Sequence, residues 1–264
     1  MHPSIAEQSV EQLGGRLSVL TRQKKDHIEL DELLQRLEGS EGADQERVLL
    51  DIYALVFPHA FAEESVLWPV MRRTLDDGEE LTLAVEREHQ EVNELVTRLE
   101  TLEHGTLERS EVLDRLTEVL REDVRDEEDE LFPRLQSVVD RWELRRLGLY
   151  WEIVRRIAPT RAHPVVARRP PGNVIAALPL SIVDRTRDLV DAARYAARVD
   201  PPALRAVSKG LTGAGHALEH LPFMKSGEDE STRVESGSVG SRTALVAAVA
   251  GAGLLLVLFS RRRR

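Results

Sequence analysis

The chain has no cysteine. Disulfides, thiolate metal sites and thiol redox chemistry are excluded together, and a reducing compartment is compatible with the sequence. Aromatic residues are only 4% of the 264, while alanine, leucine, glutamate, arginine and valine dominate, a balance that favours helix over strand. Basic residues are in the minority, and a formal charge of −10 argues against nucleic acid as a partner, because backbone binding needs a basic surface. The opening MHPSIAEQSVEQLGG has neither a basic start nor an apolar core, so no secretory signal is expected. No nucleophile and base pair, phosphate loop or dinucleotide fingerprint is present, and the glycines at 14–15 and 213–215 lack the strand-turn-helix setting such motifs need.

Long apolar runs are absent but for one. ALVAAVAGAGLLLVLF, residues 244–259, has no polar side chain and is followed by Ser260 and four arginines. With Thr243 and Ser260 included it reaches the lower limit of ~17 residues for a spanning helix, so 243–260 reads as a transmembrane tail anchor. The missing signal puts the preceding residues on the cytoplasmic side of the cytoplasmic membrane, against the contrary preference of the terminal arginines. Ala247 and Gly251 form a small-residue pair through which two such helices would make a homodimer.

What is abundant is helical periodicity, and the expected fold class is all-α. Four patterns follow one another from Leu13 to Asp140, broken at Gly39 to Gly42, Gly78 and Gly105. Their apolar stripes are Leu13, Leu17, Leu20, Leu30, Leu34 and Leu37; Ile52, Leu55, Val66 and Val70; Leu81, Val85, Val92, Val96 and Leu99; and Leu113, Leu116, Leu120, Val124, Leu131 and Leu135. Short connections between them predict an up-down four-helix bundle over 13–140. Residues 141–225 read as additional C-terminal helices of unassigned role, and 226–242 as a flexible linker. The arginine-rich start of that extension, with Trp142, Tyr150 and Trp151, is expected to continue the fourth helix with its aromatics on the bundle, in preference to lying on anionic headgroups.

Polar residues interrupt the stripes in register. His27 lies seven residues from both Leu20 and Leu34, His59 seven from both Ile52 and Val66, and His89 between Val85 and Val92. Glu63 is one turn beyond His59, and Glu127 falls between Val124 and Leu131. HAFAEESVLWP (59–69) and DVRDEEDELFP (123–133) align without gaps, pairing His59 with Asp123, Glu63 with Glu127, Glu64 with Glu128, Trp68 with Phe132 and Pro69 with Pro133. Two helices thus look like copies of one ligand-bearing helix. One inward histidine is more often a hydrogen-bonded core residue than a ligand, and one acidic run is usually a solvated face. Three histidines with a repeated carboxylate register point instead to a cation, since buried carboxylates without one cost several kcal/mol or lose their charge. Asp126, Glu128, Asp129 and Glu130 are expected to face outward.

Taken together, His27, His59-x-x-x-Glu63, His89 and Asp123-x-x-x-Glu127 resemble the hemerythrin-like HHE cation-binding domain, over residues 15–140. The resemblance implies a four-helix bundle with a non-haem di-iron centre, Glu63 and Glu127 as bridges, and His27, His59 and His89 as terminal ligands. It implies binding or sensing of dioxygen, peroxide or nitric oxide. The donor types alone suit iron, manganese or zinc. Asp123 stands where the family has histidine and would leave the second metal site altered, weak or empty; Asn93, one turn after His89, departs from the pattern of oxygen carriers. The expected metal ligands are therefore His27, His59, Glu63, His89, Asp123 and Glu127, in a membrane-anchored sensor or scavenger. The alternatives are a helical adaptor with a degenerate site and a peroxidase or catalase-like oxidoreductase. HALEH (216–220) fits a short metalloprotease pattern but is cut off by Leu221 and Pro222, and is read as chance; His2, His104 and His163 carry no role.

Overall fold

Every regular element is helical among the residues that the computed structural model describes, 3–196 and 201–234. They fall into two compact units, Met1–Pro164 and Val165–Arg264.

In the first unit α1 (Val19–Glu38) starts where the Ser18 hydroxyl accepts the Leu20 N–H, and stops at Gly39. α2 (Gly42–Ala62) runs through a π turn, π1 (Glu63–Leu67), into α3 (Trp68–Thr74). α4 (Gly78–Leu99) follows, and then α5 (Leu107–Asp126), capped by the Thr106 side chain. α5 in turn passes through π2 (Glu127–Leu131) into α6 (Phe132–Val138). α7 (Arg141–Ile157) is capped by Asp140, whose carboxylate accepts the N–H groups of Trp142 and Glu143.

The apolar clusters reveal how these rods alternate. One cluster takes Leu30 to Leu37 from the end of α1, Val48 to Phe57 from the start of α2, Val92 to Leu99 from the end of α4 and Val112 to Leu120 from the start of α5. The other takes Val19 and Leu20, then Leu67, Trp68 and Met71, then Val85, then Leu131, Phe132 and Leu135. Ends pack with starts throughout, as an up-down bundle requires. Between the clusters lies a belt of rod that neither of them uses, and the inward histidines stand in it.

Two expectations shift. The first stripe does not begin at Leu13: helix starts only at Val19, Leu17 is 63% exposed, and the lead-in turns through Gly14 and Gly15, both with positive φ. The arginine-rich stretch does not continue the fourth helix either. Val139 is extended and Asp140 starts a new helix, α7, which buries Leu144, Leu147 and Trp151 in the second cluster. Gly148 lets α7 cross the α1 lead-in closely, since a Cβ there would lie 2.1 Å from the Leu17 carbonyl oxygen.

The second unit is a hairpin of α8 (Gly172–Ala196) and α9 (Pro202–Glu219), with a small core of Val166, Ala176, Leu180 and Met224. Ser226 and Glu228 are held at the start of α8: the Ser226 carbonyl accepts the Gly172 N–H and the Glu228 carboxylate accepts the Arg168 N–H. The expected tail anchor is corrected. Among the described residues no helix is long and apolar enough to cross a membrane, and residues 243–260 lie outside them, so a single-pass anchor is not supported.

Candidate metal centre

The two rods that carry the repeated motif contain the same irregularity at the same place. Pro69 and Pro133 have no N–H to donate to the carbonyl four residues back, and their rings would clash with it. The rods widen to accommodate them, so that the Trp68 N–H reaches the Glu63 carbonyl and the Phe132 N–H the Glu127 carbonyl, five residues back. The wider turn brings consecutive carboxylates inward. Glu63 and Glu64 are both buried, as is Glu127, and the Glu128 side chain is only 15% exposed.

Three imidazoles meet these carboxylates with their Nε2 atoms. Glu63 Oε1 lies 3.0 Å from His59 Nε2 and its Oε2 3.8 Å from His89 Nε2. Glu127 Oε2 lies 3.2 Å from His27 Nε2 and its Oε1 4.0 Å from His89 Nε2. Each carboxylate thus turns one oxygen to His89 and the other to His27 or His59. The donor atoms form two groups, His27 with His59 and Glu127, and Glu63 with His89 and Glu127, the atoms of each lying within 4.8 Å of one another. Asp123 stands at the edge of the second group, its Oδ1 3.6 Å from His89 Nε2. From the other side Gln23 donates to Glu63 Oε1 at 2.7 Å.

The chemistry of this belt is unfinished as a purely protein structure. His27 Nε2, His89 Nε2, Glu63 Oε2, Glu127 Oε1 and Asp123 Oδ1 are all buried with no hydrogen-bond partner. Orphaned polar atoms in a dry interior cost free energy singly, and five aimed at one small volume mark a place for a cation. A mixed set of imidazole and carboxylate donors fits iron, manganese or zinc.

Behind each ring stands another carboxylate. His27 Nδ1 pairs with Glu128 at 2.9 Å, His59 Nδ1 with Asp26 at 3.2 Å and His89 Nδ1 with Glu64 at 3.0 Å. Such partners fix the tautomer that leaves Nε2 free for a metal. The His59 ring also meets the edge of Trp151, with centroids 5.5 Å apart, while His27 stacks on Phe132 and His89 on Trp68.

Protonation follows from this crowding. Burial alone would depress His27, but Glu127 and Glu128 outweigh it and lift the ring to about 9. His89 likewise loses to burial and gains more from Asp123 and Glu64, reaching about 10. Burial raises Glu63 and Asp123 above the usual carboxylate range, and the charge of Glu127 adds to it. On Glu127 burial pushes upward, but the His27 imidazole facing it at 3.2 Å outweighs burial and holds the group low. Without a metal, protons on the imidazoles do the neutralising.

All six sequence-derived ligands therefore approach one centre, with Asp123 outside the two tight groups. Glu128 corrects the expectation that it faces outward. Gln23, Asp26, Glu64 and α7 went unnoticed; for Glu64 the signal was its alignment with Glu128 in the internal repeat. Asn93 has a structural task, donating to the His89 carbonyl while its Oδ1 accepts the His163 N–H. In HALEH, His216 pairs with Glu219 of its own helix end, and His220 Nδ1 lies 2.9 Å from the His216 carbonyl, with no converging third ligand among the described residues.

Residues 18–135, a little under half of the chain, match the family model described as the Hemerythrin HHE cation binding domain. An uncharacterized hemerythrin-like protein of Schizosaccharomyces pombe (strain 972) is 26% identical over 134 residues, which is 50% of this chain and 66% of that protein. The chain thus spans just under two thirds of that relative's length. No solved structure matches the chain.

Proposed function

We propose that the hemerythrin-like cation-binding domain at residues 18–135 would hold a pair of non-haem iron ions, with Glu63 and Glu127 each facing both of them. His27 and His59 would serve one ion, and His89 and Asp123 the other. The observation that carries this reading is the set of five buried polar atoms without a hydrogen bond, on four helices and all turned to the same volume. Bound there, such a pair supplies reversible electron transfer and an open position for a small ligand.

The remaining residues orient and exclude. Glu128, Asp26 and Glu64 hold the three rings with Nε2 inward. The apolar clusters on either side keep bulk water out. Beside His27, His59 and Asp123 lies a cavity of about 20 Å³ walled by Leu30, Leu55, Val56, Ala60, Leu120 and Val124. That is room for a molecule the size of water, which needs ~10–15 Å³. Its size and apolar wall support a small uncharged ligand such as dioxygen, hydrogen peroxide or nitric oxide, sensed or scavenged by the protein.

Elemental analysis of protein from iron-replete cells tests the reading, with close to two iron atoms per chain expected and an optical spectrum that changes on reduction. Near-zero metal would overturn it and favour a helical adaptor. A second half that fills with manganese rather than iron would revise the metal while leaving the ligands in place.

A further inference from the structure

The family match ends at residue 135, yet the belt is walled on one side by α7, which begins at Arg141. Trp151 and Arg155 are one turn apart on α7 and share a face. Trp151 is 1% exposed and sets its indole edge against the His59 ring. Arg155 lies over the same indole, 5.0 Å from its centroid, and its Nη1 donates to Asp26 Oδ2 at 2.5 Å. That oxygen is the one paired with His59 Nδ1. A continuous chain therefore runs from α7 to the centre: Arg155, Asp26, His59, Glu63.

The position of α7 is well fixed. Gly148 brings its backbone against residues 17–19, Arg145 donates to the Gly14 carbonyl, and Arg22 of α1 pairs with Glu152 at 2.7 Å. The His27 side is built differently, for Glu128 borders a surface groove that also exposes Lys24 and Arg125.

We propose that α7 is a fifth wall of the metal centre and that Arg155 is a positioning residue, acting through Asp26 to fix the ring of His59 and set the electron-donating strength of its Nε2. A carboxylate behind a ligating imidazole strengthens the ring as a donor by drawing on its N–H. When one carboxylate oxygen is shared with a guanidinium, less of its charge reaches the ring, and the metal beyond is held in the more reduced state. The guanidinium also holds Asp26 in the rotamer that meets His59. The inference rests on the metal-binding reading and adds a function to residues the family match does not cover.

The test compares full-length wild type, Arg155→Met, Arg155→Gln and Arg155→Lys. Each is loaded anaerobically with ferrous iron, and iron release to a competing ferrous chelator is followed together with the reduction potential. In Arg155→Met one of the two ions should be released ~10–100-fold more readily, the usual scale for losing an outer partner. Its reduction potential should fall, and Arg155→Lys should recover part of both changes. Should Arg155→Met fold poorly, Arg155→Gln, which keeps a donor for Asp26 without the charge, carries the same comparison. Unchanged iron release and potential in a folded, metal-loaded variant overturns the proposal. Wild-type protein that takes up no iron overturns the metal reading itself, a distinguishable result.

Discussion

The stretches 59–69 and 123–133 share one scaffold and part at their first residue. Both have a π turn that starts on a buried glutamate, a second glutamate aimed at a histidine, and an aromatic-proline pair that stacks against the rings. In the first, the leading residue is His59, held by Asp26 and covered by Trp151. In the second it is Asp123, whose Oδ1 is buried without a hydrogen-bond partner. The parts that turn carboxylates inward are the same in both copies, and the leading side chain, the proposed terminal ligand, is the part that varies. One half of the centre thus has two imidazoles within reach and the other has one, so the two ions are expected to differ in affinity and in metal preference.

The most damaging break is at the shared carboxylates. Glu63→Ala or Glu127→Ala each removes a group that faces both halves, so both ions should be lost together, with a fall in thermal stability relative to loaded wild type. Loss of one ion with retention of the other would show that the carboxylate serves a single half. Exchanging the leading residues sharpens the comparison next. Asp123→His should tighten the second iron, and His59→Asp should loosen the first and favour manganese over iron there; metal competition with analysis of both elements reads this out. Smaller effects belong to the carboxylates behind the rings, where Glu64→Gln and Glu128→Gln should each weaken one ion ~10–100-fold by chelator competition.

The gentlest probe is pH. In the metal-free protein His27 and His89 sit at about 9 and about 10, above the ~6.5 of an unfolded histidine. Their stabilising protonation is complete below the unfolded value and lost as pH rises through the folded ones, so the melting temperature of metal-free protein should decline from about pH 6.5 upward. A metal needs those same nitrogens bare, so its affinity should rise over the same range. Melting curves of chelated and iron-loaded protein should therefore diverge as the buffer becomes more alkaline, and curves that stay parallel would contradict the assignment of His27 and His89.

Much of this was legible in the sequence because heptad spacing places His27, His59 and His89 among leucines and valines whatever the tertiary detail. The bundle and its glycine breaks were readable for the same reason. What escaped has a geometric cause. A regular wheel of 3.6 residues per turn sends Glu128 outward and Val66 inward, whereas the π turns slip the phase, so Leu67, Trp68 and Met71 are fully buried and Val66 only partly. Pro69 and Pro133 were the visible cause of that slip, although proline alone does not say whether a rod will widen, kink or stop. Asp26 and Arg155 were illegible for a different reason: their pairing spans 129 residues, and nothing local in either segment announces it.

The polar belt between the two apolar clusters bears on how the molecule comes apart. Oily cores separated by a polar layer share little cohesion, and each can melt on its own schedule. The proposed cation pair, anchored to rods on both sides, would act as a rivet and make the two melt as one. Loaded protein should then give a single sharp calorimetric transition, and chelated protein a broadened or split one, which makes cooperativity itself a gauge of occupancy.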